Sequence, residues 1–348
     1  MSAGDTNRNS KCPMPTDAVV AVTYDCDARC VMCNIWKSPP SAQMPSDAFR
    51  KLPASLKTIN LSGGEPFLRD DLPEIVHNAK SACPASTIII SSNALRTKRI
   101  CSMLREIVRD DPRIGLGISV DGIGKMHDAM RGVKGAFDRA METLELARAE
   151  GVRNIRLAFT ATSRNISHLE RVLDLSREKG VEFTCAIAQN SEHYFKTDAN
   201  TGIEDRDELR RQFNYLISRQ LRGFHPKRWG RAYFARGVYE FATDRRRLLE
   251  CRAGSDFFYL DPTGDVYPCN VLPAVMGNLT ESDFTTLWNS PRAVAVREKV
   301  ARCQEGCWMV CTARTVIKRH PIAVGKWILA SKIRRALGRK TLLDRITG

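Results

Sequence analysis

The sequence contains no run of about eighteen apolar residues, so no segment reads as a membrane-spanning helix. The first fifteen residues, with Asp5, Arg8 and Lys11, lack the apolar stretch of a secretory signal and read as a disordered N-terminus. No internal repeat or low-complexity tract breaks the chain. These absences predict a cytoplasmic globular protein, where thiols stay reduced, so the 12 cysteines read as metal ligands rather than disulfides. Acid is scarce in one place. Residues 312–348 hold ten Lys or Arg against one acid, so +9 of the net +15 lies there and only +6 remains for the rest. A nucleic-acid partner for the whole chain loses its support, and the question becomes what the basic tail does.

What the chain does have begins at Cys26-Asp-Ala-Arg-Cys30-Val-Met-Cys33, directly after the apolar run Val19 to Val22. Three thiolates so close cannot complete a tetrahedral zinc site without a fourth ligand. They can hold three irons of a 4Fe–4S cube and leave the fourth iron open to a small molecule. A zinc knuckle is the alternative. A second apolar strand pattern, Thr58 to Leu61, ends in Ser62-Gly63-Gly64-Glu65-Pro66.

Together the C-x-x-x-C-x-x-C spacing and the Gly-Gly-Glu-Pro run resemble the radical S-adenosylmethionine (radical SAM) enzymes in order and separation. The resemblance implies a 4Fe–4S cluster on Cys26, Cys30 and Cys33. It also implies S-adenosylmethionine bound against Gly63 and Gly64, with Glu65 accepting from its amino group. Met32 departs from the family, which usually has an aromatic residue there; a thioether can still pack on an adenine ring. Ser92, Asn93 and Ser119, at the ends of two further strand patterns, fall where the family contacts the ribose and methionyl carboxylate. Turn capping is the plainer reading of all three. Asp121, His127, Asp128 and Arg131 form a segment similar to one that shapes the site in members carrying a SPASM domain.

Apolar periodicity alternates strands with helices through residues 16–190: helices near 70–83, 98–109, 136–150 and 165–179, strands at 86–91, 114–120, 155–160 and 183–188. Six βα units predict an α/β fold, an open (β/α)6 partial barrel like that of the family. Residues 191–250 break the rhythm and read as a helical bridge, with helices near 204–220 and 233–249. From Cys251 to Cys311 a small cysteine-rich domain is expected. In it a hairpin turning at Asp261-Pro-Thr-Gly-Asp265 brings Cys251 and Cys269 together. Cys303, Cys307 and Cys311, four residues apart, are expected on one helical face. Cys251, Gly264 and Cys269 resemble the start of the SPASM or twitch extension, which implies a second 4Fe–4S cluster on four of the five cysteines; zinc is the alternative. Cys12, Cys83, Cys101 and Cys185 read as free thiols in apolar or terminal contexts.

In the tail, 312–348, a helical reading puts Leu329, Ala330, Ile333, Ala336 and Leu337 on one face. Lys332, Arg334, Arg335 and Arg339 lie mostly off it, and Trp327 is a candidate anchor for peripheral contact with a membrane surface. A helix packed on the barrel is the plainer reading. The resemblance implies reductive cleavage of S-adenosylmethionine to a 5′-deoxyadenosyl radical, which abstracts hydrogen from a substrate. The auxiliary cluster would accept an electron or bind the substrate, and an external donor such as flavodoxin or ferredoxin would supply electrons. A small-molecule or sugar-like substrate is expected. A peptide maturase, a non-catalytic iron–sulfur electron carrier and a zinc-stabilised binding module are the rivals.

Overall fold

The computed structural model describes residues 12–39, 42–338 and 343. Six parallel strands form its centre: β1 (Asp17–Thr23), β2 (Thr58–Gly63), β3 (Thr87–Ser92), β4 (Gly115–Ser119), β5 (Asn154–Ala161) and β6 (Glu182–Ile187). They lie side by side in chain order, linked by α1 (Leu72–Ala82), α2 (Thr97–Asp110), α3 (Lys125–Arg131), α4 (Ala136–Ala149) and α5 (Leu169–Glu178). The β-branched run Thr87-Ile88-Ile89-Ile90 makes β3, and its isoleucines are buried between the layers. The helices bury one stripe each, such as Leu72, Ile75, Val76 and Ala79 on α1. Among the described residues β6 pairs only with β5, so the barrel does not close. This is the open α/β architecture expected.

At the other edge the sheet continues. β7 (Phe257–Leu260) pairs in parallel with β1, then β8 (Asp265–Tyr267) and β9 (Gly277–Asn278) follow antiparallel, giving nine strands in the order 6-5-4-3-2-1-7-8-9. The cysteine-flanked hairpin is therefore an extension of the barrel sheet. Lying between β2 and β7, β1 is buried along its whole length. Asp17 at its start pairs with Arg314 of α10 (Val310–Arg319).

Four expectations change. First, Cys303, Cys307 and Cys311 do not share a helical face. Helix α9 (Pro291–Ala301) has ended and α10 starts only at Val310, so 303–309 is irregular. The reason is Trp308, whose ring packs against Gly237 of α7 (Pro226–Asp244) and whose indole N–H donates to the Phe234 carbonyl at 3.0 Å. A continuous helix could not place it there. Second, α7 begins at Pro226, earlier than the expected 233. It follows α6 (Arg206–Gln220), and proline suits a first helical turn. Third, residues 12–15 are docked. The Pro13 carbonyl accepts from the indole of Trp288, in α8 (Phe284–Trp288), and the Pro15 carbonyl from Ser55; residues 1–11 lie outside the described residues. Fourth, Trp327 is no surface anchor. It is buried within α11 (Pro321–Ala336), edge-on to Tyr233 of α7 at 5.5 Å, with Arg236 over its ring. Arg339 lies outside the described residues.

Candidate functional site

The strand ends carry the site, as in open α/β sheets generally. The loop after β1 is held on three sides. The amides of Arg29 and Val31 donate to the carbonyls of Arg131 and Met130, and Asn34 donates to Phe195. Behind the loop, the end of β2 approaches so closely that Gly64 donates to the Thr23 carbonyl and Glu65 to that of Asp25, both at 2.8 Å. A Cβ at Gly63 would sit 2.2 Å from the Thr23 oxygen, and one at Gly64 2.0 Å from the Asp25 oxygen. The glycines are thus required by the cysteine loop itself.

Cys26, Cys30 and Cys33 all line one cavity of about 210 Å³, together with Gly63, Gly64, Ser92, Asn93 and Ser119. Glu65 does not line it. Its fully buried carboxylate accepts from the Ser92 hydroxyl (3.0 Å) and the backbone amides of Asn93 (2.6 Å) and Phe67 (3.2 Å). Burial pushes its pKa up to about 7 against the pull of those donors. The carboxylate thereby ties β2 to β3. Met32 lines the cavity too.

The segment from Asp121 to Gly132 contains the short helix α3, and its Asp121, His127, Asp128 and Arg131 each have a partner within the fold. Buried Asp121 pairs with Arg131 at 2.6 Å and accepts from the Thr160 amide. His127 Nδ1 accepts from the Asp121 amide, and burial, then the Arg131 charge, drive its pKa down to about 3. Asp128 accepts from the amides of Gly135 and Phe137 at the start of α4. Arg131 also lines the cavity and donates to the Cys30 sulfur at 3.5 Å, while its buried Nε has no hydrogen-bond partner. Asn93 Nδ2 lies 3.8 Å from the Cys26 sulfur.

The second set of cysteines converges below the hairpin. Cys251, Cys269 and Cys311 belong to one apolar cluster with Cys26 and Cys33. Burial raises the thiols of Cys269 and Cys311 to about 12, and raises that of Cys307 further. Each of the three also feels other cysteines of the set. The amides of Val271 and Leu272 point at the Cys269 sulfur, at 3.5 and 3.3 Å. Cys303 stands exposed at the rim. Among the described residues, no three His, Cys, Asp or Glu side chains close on one point as a single metal ion requires. Thiols beside an amide and a guanidinium donor at Cys26 and Cys30, and beside backbone amides at Cys269, fit a larger anionic group in both places.

Tyr194 escaped the sequence reading. It lines the cavity, its hydroxyl lies 2.9 Å from Ser62 Oγ, and its ring packs edge-on to Tyr259. Burial raises its pKa to about 12, and the thiols of Cys33 and Cys311 both add to the shift. The residue therefore stands near both cysteine sets. Its only sequence signal is the aromatic His193-Tyr194-Phe195 run inside a segment without periodicity.

Residues 20–176 match the profile of the Radical SAM superfamily, and residues 251–312 match SPASM, an iron–sulfur cluster-binding domain. The chain belongs to the radical SAM superfamily and carries a SPASM domain. Among curated radical SAM relatives, pre-heme d1 synthase of Dinoroseobacter shibae is 30% identical over 69% of this chain and 62% of its own length. The subtilosin biosynthesis protein AlbA of Bacillus subtilis is 23% identical over 82% of this chain and 62% of its own. The chain thus spans less than two thirds of both. Streptococcus suis SuiB, solved with S-adenosylmethionine, superposes with a TM-score of 0.61 at 19% identity, over 81% of this chain and 68% of SuiB. That likeness is one of fold. Among the described residues, no helix is long and apolar enough to cross a membrane.

Proposed function

We propose that this radical SAM chain is an enzyme that cleaves S-adenosylmethionine reductively, with Cys26, Cys30 and Cys33 holding the 4Fe–4S cluster and Cys251, Cys269, Cys307 and Cys311 a second one. The observation that carries the reading is the single cavity walled by the three loop thiols and by the Gly63-Gly64 backbone. When bound, the first cluster and its cofactor supply an electron and a 5′-deoxyadenosyl radical able to take hydrogen from a C–H bond. The chain's own residues do the rest. Arg131 and Asn93 place donors near Cys30 and Cys26, which favours the thiolate forms that metal binding needs. Ile35, Ile187 and Met309 give the cavity apolar walls that exclude water from a reactive site. Tyr194 holds Ser62 beside the glycines and occupies the ground between the two thiol sets. An external reductant completes the system.

A small-molecule substrate is the first reading, supported by pre-heme d1 synthase and by an AdoMet-dependent heme synthase of Methanosarcina barkeri, 24% identical over 77% of this chain. A peptide substrate is supported equally by AlbA and by the mycofactocin maturase MftC of Mycobacterium tuberculosis, 27% identical over 77% of this chain. The test is anaerobic. Reconstituted protein with dithionite should convert S-adenosylmethionine to 5′-deoxyadenosine slowly, and Cys26→Ala, Cys30→Ala, Cys33→Ala together should stop it. Acceleration by a heme precursor or by a precursor peptide separates the two substrates. Stoichiometric zinc in place of iron after anaerobic isolation overturns the reading.

A further inference from the structure

Helix α11 is held to the barrel by one face, and its other face is exposed among the described residues. Val324, Trp327 and Ser331 are buried, whereas Ile322, Leu329, Ile333 and Leu337 are 75, 62, 52 and 68% exposed. Spaced by seven, four and four residues, they form one stripe, with exposed Lys326 in it. Phe224, 86% exposed in the turn between α6 and α7, joins this face, because Lys332 Nζ lies 4.8 Å from its ring and 4.2 Å from that of Trp229. Nine large apolar residues are exposed among the described residues, and five of them are here. Chance scatter over a surface does not group them so.

The charged residues of α11 itself are all basic: Lys326, Lys332, Arg334 and Arg335. From Gly306 to Leu343 the sequence contains no acid. Arg222 beside the same turn is crowded by Arg219, Arg335 and Arg177, whose like charges lower its pKa below the usual guanidinium value. Crowded guanidinium groups around an apolar stripe suit a partner that is anionic outside and apolar beneath. Its position also fits. Glu182, at the start of β6, pairs with Lys227 and Arg231 at the start of α7, so the turn lies at the end of the sheet opposite the cavity. α11 runs antiparallel to α7, since Trp327 meets Tyr233 and Lys332 meets Trp229.

We propose that α11 and the Phe224 turn dock on an anionic lipid surface as a peripheral contact, with the cavity mouth turned away from the lipid. Interfacial helices bind by this combination of a shallowly buried apolar stripe and basic flanks.

The test uses full-length, cluster-loaded protein and sedimentation with vesicles. The protein should bind phosphatidylcholine vesicles containing phosphatidylglycerol and not phosphatidylcholine alone. Binding should fall at least ~10-fold as the Debye length shrinks from ~10 Å at 0.1 M salt to ~3 Å at 1 M. Leu329→Asp with Ile333→Asp should weaken binding ~10-fold or more by removing two apolar side chains from the contact. Lys326→Glu should weaken it by charge alone. All three positions are exposed, so melting temperature and iron content should stay unchanged; if the double Asp variant melts early, Leu329→Ser with Ile333→Ser replaces it. Failure to bind acidic vesicles, equal binding to neutral ones, or unchanged binding of these variants overturns the proposal. So does a dimer in solution that the double variant converts to monomer, since a second copy would then cover the stripe.

Discussion

At Gly64 one added methyl group meets backbone, which cannot swing aside as a side chain can. Its Cβ would lie 2.0 Å from the Asp25 oxygen. Gly64→Ala should therefore push the cysteine loop off the end of β2, at a cost of about 1–3 kcal/mol for overpacking. Anaerobically isolated variant should show less iron and an earlier melt than the parent. His127 gives a second effect of single-residue size. The unfolded imidazole binds a proton near pH 6.5 and the native one only near pH 3, so between these values the unfolded state holds more protons. Stability present above pH 6.5 is then lost on acidification, by about 2 kcal/mol from this residue between pH 7 and pH 5. Buried Glu65, raised to about 7, works in the opposite sense over the same range and is common to both proteins, so the check is a difference. The urea midpoint of the parent should drop relative to that of His127→Gln as pH falls from 7 to 5.

Among the elements, α7 and the segment 303–309 are the informative pair. Repetition of cysteine every fourth residue is a helical signal, yet Trp308 overrides it by seeking the notch at Gly237. Arg247 lies over the same ring and donates to the Cys307 carbonyl at 2.5 Å, so the tryptophan also positions a cysteine. Gly237→Ala would bring a methyl 2.2 Å from the indole. It should expel the ring and release Cys307. Trp308→Ala should cost about 3–5 kcal/mol, as large aromatic deletions do. In both variants about half of the iron should be lost, the half belonging to the second cysteine set; iron assay after reconstitution decides it. The short helix α3 went unread for another reason. Its seven residues are too few to show a period, and it is held by Asp121, His127 and Arg131 rather than by an apolar stripe.

For the whole molecule, the shared sheet removes the independence that a separate cysteine-rich unit would have. β7 covers one edge of β1, Val19 and Ala21 pack with Phe257 and Tyr259, and Asp256 is bonded twice to Arg319 at 2.7 Å. Deleting residues 251–348 should expose that edge and give insoluble protein, since an open strand edge invites aggregation. Intact reconstituted protein should hold about eight irons in two four-iron clusters, and replacement of Cys26, Cys30 and Cys33 by Ala about half of that. Cys303→Ser should retain both clusters, because Cys303 stands exposed at the rim. Iron and sulfide assays read all three.

The six βα units were legible because each buries a stripe of regular period, as in Leu72, Ile75, Val76 and Ala79, or a β-branched run, as in β3. The cysteine loop and the Gly63-Gly64 pair were legible because their chemistry is carried by adjacent residues. Contacts between residues far apart in the chain left no such trace. The sequence alone could not show that Glu65 ties strands together, that Tyr194 reaches both thiol sets, or that Trp327 turns inward to Tyr233. Each depends on which surfaces face one another after the sheet has formed. Periodicity and local spacing determine the elements and the reactive loop; packing between distant elements decides the partner of each polar or aromatic side chain.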